Sequence, residues 1–325
     1  MDEEEGERRE NSMEEGREGG VAEAYERKSC GWCCGSGSVW ARDKGELERD
    51  LEDWVGTLSG RRFVRIDTTT LLVLRWLCFL FMLTTTIWSI GNSIDEEKVS
   101  YWHIYLTHWT LALELLFSLS ALLATRLAVK EHALDPDHEL GAISTGAVQT
   151  PPLVVRAAFW LHGLCLPMSV MVAILFWGLL YAPNPFPIEP LHVVEHGINA
   201  VVMVLDTTIG ALPLRLSHFL PTLAYGLAYT LFSLLYYWAG GTTKSGKPYI
   251  YKPLDWREPK KVIFLLLVLA LTVLPLLHLL LWLLGSGVRR CVGERRRGPG
   301  LLGRQGGIGN ERERGGESEK EGSEA

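Results

Sequence analysis

Six apolar segments, each about 20 residues or longer, constrain the fold of this chain more than any other feature of its sequence. A helix of that length crosses the roughly 30 Å hydrocarbon core of a bilayer, where an unpaired backbone group finds no hydrogen-bonding partner. We therefore predict an all-α membrane protein with six transmembrane helices. The predicted helices run from Thr69 to Gly91, Ile104 to Ala128, Ala157 to Ala182, His192 to Leu214, Ser217 to Ala239 and Val262 to Leu284.

Hydrophilic segments flank the predicted transmembrane domain, residues 67–286. Residues 1–43 and 287–325 contain little to bury, so we expect two disordered tails. Residues 44–66 predict an amphipathic segment lying along the membrane. Its apolar side consists of Leu47, Leu51, Trp54, Val55 and Leu58. The net charge of -6 comes largely from the tails, so we predict no nucleic-acid partner.

Cys30, Cys33 and Cys34 form a CGWCC cluster in the first tail. A CxxCC pattern without a second pair of ligands is weak support for a metal site, and we predict neither a metal nor a cofactor. Reversible acylation and simple exposure in a tail are the alternatives for these thiols. The 6 cysteines are scattered along the chain, which does not indicate a secreted disulfide framework.

Basic residues predict the side of the membrane on which each connection lies. Those nearest the first three predicted helices are Arg61, Arg62, Arg65, Arg126, Lys130 and Arg156. By the positive-inside rule these segments face the cytoplasm, and so do both termini. The connection 240–261 conflicts with this rule, because it is basic although six crossings place it outside. The first 20 residues lack the apolar core of a signal peptide, so the first helix serves as the targeting signal.

The fourth predicted helix carries polar groups that hydrocarbon solvates poorly. Its sequence HVVEHGINAVVMVLD places His192, Glu195, His196 and Asn199 at positions that share one helix face. Such a stripe is expected to face protein or water. Thr107 and His108 lie in the first turns of the second helix, which runs in the same direction, so both groups occupy one leaflet.

A hydroxyl and an imidazole at one depth have the chemistry of a nucleophile and its general base. Thr107 would attack an acyl carbonyl as His196 accepts its proton. His108, His192, Glu195 and Asn199 form the supporting set, which would orient the imidazole or stabilise the oxyanion. The alternative is structural, since threonine in a membrane helix commonly bonds to its own backbone and histidine commonly bridges helices.

Other charged groups lie deeper in the chain's apolar segments. Arg75 lies near the start of the first helix and Asp206 lies late in the fourth, so both fall on the side of the membrane opposite Thr107 and His196. We predict that they form a structural ion pair, because a charge inside a bilayer is usually paired. Glu114 falls near mid-depth. It is either neutral, bonded to a neighbour such as His162, or part of a proton path.

Three motifs carry a family resemblance. They are YLTHWTLALELLFSLSALL, HGINAVVMVLD and AGGTTKSGKPYIYKPLDW. Through them the chain resembles the rolling stone family of integral membrane proteins over roughly Arg61 to Leu284. That family is associated with myoblast fusion in insects, which implies a role in cell contact or fusion at the plasma membrane. The endoplasmic reticulum is the alternative location.

The rolling stone family is in turn distantly similar to the androgen-induced membrane hydrolases, which cleave fatty-acid esters of hydroxy fatty acids through an intramembrane Thr and His. Tyr105, Leu106 and Thr107 match the Tyr-Leu-Thr run of those enzymes, and His196 in HGIN matches their histidine. The resemblance therefore implies a Thr/His-dependent lipid-ester hydrolase acting on a fatty-acyl ester, and it points to Thr107 and His196.

Two alternatives remain beside hydrolysis. The first is a non-catalytic adhesion or scaffold protein that binds a membrane-protein partner through the basic, aromatic residues 244–257. The second is a transporter, which is less favoured because the sequence has no evident inverted repeat and no pair of broken helices. In each case the lipid bilayer is the protein's immediate partner.

Overall fold

The computed structural model describes residues 67–134, 151–183, 187–210 and 212–296, together with Leu51, Trp54 and Leu58. The part of the chain so described is helical, with turns and no strand, which confirms the prediction of an all-α chain there. Residues 1–43 and 297–325, with the cysteine cluster of the first tail, lie outside the described residues.

Nine α-helices are described. They are α1 Thr68–Asp95, α2 Val99–Trp102, α3 Leu106–Leu134, α4 Leu153–Leu175, α5 Pro190–Val193, α6 Asn199–Ile209, α7 Phe219–Trp238, α8 Pro259–Val268 and α9 Leu274–Arg296. Three π-helical turns continue or join them, at Phe176–Tyr181, Val194–Ile198 and Leu269–Val273. Short 3-10 turns occur at Leu216–His218 and Lys252–Leu254.

Five described stretches are long and apolar enough to cross a membrane. They are Thr68–Asp95, Leu106–Glu131, Leu153–Tyr181, Leu216–Trp238 and Pro259–Gly287, and they coincide with five of the six predicted spans. The remaining prediction, His192 to Leu214, corresponds to α5, a π-helical turn and α6 in unbroken succession. That stretch, which we call the polar segment (Pro190 to Ile209), is shorter than the other five and is not among the stretches that are long and apolar enough to cross a membrane.

Local sequence sets where several helices begin and bend. Asp67 caps α1, and its carboxylate accepts the N–H of Thr70 at 3.0 Å. Proline occupies the first position of α5 and of α8, where a missing N–H costs nothing. Pro275 follows the π-helical turn Leu269–Val273, as expected where proline removes a backbone hydrogen bond from a helix.

The core of the bundle lies around α3, which packs most extensively against α4 and α1. Ala121, Ala124 and Ala128 of α3 are fully buried, and small side chains there let the neighbouring helix approach closely. Many large apolar side chains face outward instead, among them Leu77 and Phe264. An outward apolar surface is what a helix bundle presents to lipid.

The structure describes parts of the two predicted flanking segments. Trp54 and Leu58 are buried in the core cluster, so these residues of the predicted membrane-surface segment pack against protein. The last helix continues to Arg296, ten residues beyond the predicted end of the transmembrane domain at 286. Arginine is a good helix former and is favoured at a helix C-terminus, which accounts for the longer helix.

Candidate functional site

A cavity of about 450 Å³ lies within the helix bundle. Its lining includes Thr107, His108, His192, Glu195 and His196, which are five of the six residues predicted for catalysis and its support. Leucine, methionine and valine side chains from α4, α7, α8 and α9 form most of the remaining wall. The cavity thus joins a polar end to an apolar interior.

Each of the three π-helical turns contributes to the cavity wall. Phe176 comes from the first turn, Glu195 and His196 from the second, and Leu269 and Ala270 from the third. A π-helical turn holds an extra residue, so it widens a helix and redirects the side chains that follow. These turns shape the space between helices that would otherwise pack more closely.

Thr107 occupies the first turn of α3. Other threonines of the bundle bond to the carbonyl four residues earlier, such as Thr110 to Leu106 and Thr222 to His218. The side chain of Thr107 interacts with the side chain of Tyr251. Thr107 therefore lies where the cavity meets the connection that carries Tyr251.

His108 is held by its neighbours in a defined orientation. Its ring stacks on Trp102 at 4.5 Å between centroids, and its Nδ1 lies 2.5 Å from the carbonyl oxygen of the same residue. A carbonyl only accepts, so Nδ1 carries a proton and Nε2 is left to face Glu195, whose Oε1 is 3.9 Å away. Ser89 interacts with the Glu195 carboxyl and accepts the indole N–H of Trp102 at 3.0 Å.

His196 stacks face to face on Phe176, with ring centroids 3.7 Å apart. Trp177 donates its indole N–H to the His196 carbonyl oxygen at 2.8 Å, which fixes the backbone of this π-helical turn. His192 lies one turn earlier, and its Nδ1 accepts the Glu189 N–H at 3.3 Å. No hydrogen bond directly joins Thr107 to His196 among the described residues, although both line the cavity.

Tyr251 is the site residue that sequence reasoning missed. It belongs to the connection between α7 and α8, and its hydroxyl accepts the N–H of Leu106 at 3.0 Å while it interacts with Thr107. Burial raises the pKa of Tyr251 to about 12, so the phenol keeps its proton at neutral pH. The signal was the aromatic motif PYIY, which we had assigned only to partner binding.

The connection that carries Tyr251 is anchored along its length. Lys244 donates to the carbonyl oxygen of Glu96, and Trp256 donates its indole N–H to Ser233 at 3.1 Å. Gly240 and Gly246 have φ of 76° and 70°, which favours glycine at both bends. The connection is therefore folded over the polar end of the cavity.

Asn199 lies apart from the residues with which we had grouped it. Its Nδ2 donates to Glu114 Oε2 at 2.5 Å, deeper in the bundle, and it is absent from the cavity wall among the residues described. Asn199 follows the π-helical turn, which shifts it off the face shared by Glu195 and His196. Glu114 is thus bonded to Asn199, and Nε2 of His162 lies 3.0 Å from the hydroxyl of Thr207.

Arg75 and Asp206 form an ion pair at the other end of the bundle, with side-chain exposures of only 2% and 8%. Gly210 packs beside them: a Cβ added there would lie 2.7 Å from Nη2 of Arg75.

Among the residues that the structure describes, no three His, Cys, Asp or Glu side chains are arranged to hold a metal ion.

Comparison with known proteins gives two matches. A family model described as Protein rolling stone matches residues 60–292. The chain is 25% identical over 205 residues to Protein rolling stone of Drosophila melanogaster, an alignment that covers 59% of this chain and 69% of that protein. No solved structure matches.

Proposed function

This chain belongs to the rolling stone family, as its motifs predicted, and we propose that this multi-pass membrane protein hydrolyses a fatty-acyl ester at Thr107. One observation carries the proposal: Thr107, the imidazoles of His108, His192 and His196, and the Glu195 carboxyl line a single cavity whose remaining wall is mainly apolar. An acyl chain fits the apolar part while its ester reaches the polar part.

The proposal includes six crossings, so that the polar segment also spans the membrane. The Lys244 bond to Glu96 and the Tyr251 bond to Leu106 join the connection after α7 to the connection after α1. Between these two connections α3, α4 and α7 cross three times, which would leave them on opposite sides. A fourth crossing by the polar segment brings both connections to one side.

The ends of the polar segment support the same topology. Glu195 interacts with Ser89 near one end of α1, and Asp206 pairs with Arg75 near the other end. The polar segment therefore runs alongside much of α1, with about 16 Å between Glu195 and Asp206 at 1.5 Å per residue. With positively charged segments inside, both termini are cytoplasmic, and we propose the plasma membrane as the location.

In the proposed reaction the Thr107 hydroxyl oxygen adds to the ester carbonyl carbon as His196 accepts its proton. The tetrahedral intermediate collapses when the bond to the alcohol breaks, and the alcohol leaves with the proton from His196. Water then adds to the acyl-threonine, again losing a proton to His196. The carboxylic acid departs as Thr107 regains its hydrogen.

The other polar groups have supporting roles in this proposal. The phenol of Tyr251 accepts the Leu106 N–H and interacts with the Thr107 side chain, so it lies next to the place where the oxyanion would develop. His108 and Glu195 face each other at 3.9 Å and set the charge of the polar end. Trp177 and Phe176 fix the position of His196 through backbone and ring contacts.

An activity-based probe tests the proposal. Membranes that contain the protein are treated with a lipid-like fluorophosphonate, which traps an activated hydroxyl. Thr107→Ala and His196→Ala should each abolish labelling. Thr110→Ala should label like wild type, because Thr110 bonds to the Leu106 carbonyl and the Tyr225 hydroxyl and is not part of the described cavity wall. Equal labelling of Thr107→Ala and wild type would refute the assignment.

A second candidate is a non-catalytic role in cell contact or fusion, with a membrane-protein partner bound through residues 244–257. It is favoured by the exposure of Lys247 and Lys252 on an otherwise anchored connection. Replacing both lysines by Glu should then prevent partner binding or fusion, while Thr107→Ala is tolerated. Loss of fusion on Thr107→Ala at normal surface level would favour hydrolysis instead.

A further inference from the structure

The cavity wall changes in polarity along the direction of the helices. Asn92, Glu96 and Lys98 lie around the end that adjoins the connections, which we call the mouth. Thr107 and His108 come next, in the first turn of α3. Beyond them the wall is mainly apolar, with residues such as Leu175 and Leu223. A ligand that fills the cavity must have the same order of groups.

Three helices give the same depth for the closed end. Met168, Thr222 and Leu274 line it, and each lies roughly 20 to 24 Å along its helix from the mouth at about 1.5 Å per residue. Below the level of Thr107, the apolar part is therefore at least about 15 Å deep. That length equals half of the roughly 30 Å hydrocarbon core, which is the depth that one lipid chain occupies in a leaflet.

The volume of the cavity suits a ligand with one chain. A volume of about 450 Å³ falls within the range of pockets that hold one small molecule, about 300–1,000 Å³. A second acyl chain would have to remain outside the wall.

Charges at the mouth disfavour an anionic ligand. Lys98 is paired with Glu96, and Glu189 adds a further carboxylate to the lining. Hydrogen-bonding groups at the mouth include the Asn92 amide and the Tyr105 phenol. This lining suits hydroxyl groups better than it suits a phosphate or a carboxylate.

We infer that the cavity takes a single-chain ester of an uncharged polar alcohol, of the monoacylglycerol type, with its acyl chain directed to the closed end and its alcohol at the mouth. The position of the ester carbonyl beside Thr107 rests on the proposed hydrolysis. The direction of the acyl chain rests only on the change in polarity along the cavity wall. An ester whose alcohol is itself a long-chain carboxylic acid fits poorly, because it would place a second apolar chain and a carboxylate at the polar mouth.

Gly226 offers a direct test. It lines the cavity about 18 Å from the mouth end of α7, and a Cβ added there meets no atom within 4 Å. Gly226→Leu should therefore shorten the cavity without disturbing helix packing, and Gly226→Ala should have an intermediate effect. Gly91→Leu is the matched control, because Gly91 has the same open surroundings in α1 but is not part of the described cavity wall.

Binding is measured with purified full-length protein in phosphatidylcholine nanodiscs, using non-hydrolysable octyl and hexadecyl glycerol ethers. Gly226→Leu should weaken the hexadecyl ether at least about tenfold relative to the octyl ether, a preference worth about 1.4 kcal/mol. Gly91→Leu should bind both ethers like wild type. Hexadecyl phosphate and a two-chain glycerol diether should compete poorly.

The inference is overturned if Gly226→Leu and Gly91→Leu discriminate chain length equally, or if hexadecyl phosphate or the diether competes as well as the hexadecyl ether. The proposed hydrolysis fails separately. If wild type shows this binding pattern but neither hydrolyses monopalmitoylglycerol nor reacts with the fluorophosphonate, the ligand assignment stands and the reaction is wrong.

Discussion

Asp206→Asn should destabilise the folded protein by about 2–4 kcal/mol, because it leaves the Arg75 guanidinium buried beside a neutral amide. Breaking a buried ion pair in a soluble protein costs about 3–5 kcal/mol. Insertion scales assign about 2.5–3.5 kcal/mol to arginine at the centre of a membrane helix. Arg75 lies roughly 10 Å from the start of α1, about midway between that end and the middle of the helix, so a cost below the value for the centre is expected.

A double replacement separates the ion pair from the fold. Arg75→Met combined with Asp206→Leu removes both charges and keeps apolar volume, so it should cost less than about 1 kcal/mol. The two single changes would together cost several times as much. Their coupling energy of about 2 kcal/mol or more measures the interaction, because each single variant leaves one charge unpaired.

Unfolding by sodium dodecyl sulfate in mixed micelles, followed by tryptophan fluorescence, gives these free energies if the transition is reversible. Leu205→Ala serves as the control, since Leu205 precedes Asp206 in sequence and its side chain is 50% exposed. A cost below about 0.5 kcal/mol for Asp206→Asn, or additive single and double variants, would refute a stabilising role for the pair.

Other perturbations test the polar interior and the connection. Above pH 10 the stability of wild type should fall more steeply than that of Tyr251→Phe. The pKa of Tyr251 is about 12 in the folded protein, so the unfolded chain loses this proton at a lower pH than the folded protein does. The melting temperature of both proteins, measured against pH, gives the difference. Asn199→Ala should destabilise by about 1–3 kcal/mol by removing a donor to Glu114, and unchanged fluorophosphonate labelling of the folded fraction would separate this role from catalysis. Gly163→Ala should lower the melting temperature, because the new Cβ overlaps the His218 ring; an unchanged value would show that the ring moves aside freely.

Hydropathy and helix direction were enough to predict much of this arrangement. Length and apolar composition located five helices whose spans the structure reproduces. The depth of Thr107 and His196 within their segments predicted that both lie at one level, and both line one cavity. Depth is readable from sequence because a helix advances by a constant rise per residue.

Rotation about the helix axis was harder to predict than depth. Asn199 shares a face with Glu195 and His196 in a regular α-helix, but the π-helical turn Val194–Ile198 changes the register between them. Tyr251 was missed for another reason: it meets Leu106 across 145 residues of sequence, and no periodicity relates a connection to the helix that it covers.

The π-helical turns and the anchored connection account together for a site inside an apolar bundle. An uninterrupted α-helix from Pro190 would place its polar groups along one narrow stripe, with Asn199 beside His196. The extra residue of the turn divides that stripe, so that Glu195 and His196 face the cavity while Asn199 bonds to Glu114. Tyr251, from the connection between α7 and α8, contacts the first turn of α3 and adds a hydroxyl that the polar segment does not contribute. The polar end therefore depends on residues from separate parts of the chain, and its chemistry should respond to changes in the connection as much as to changes in the helices.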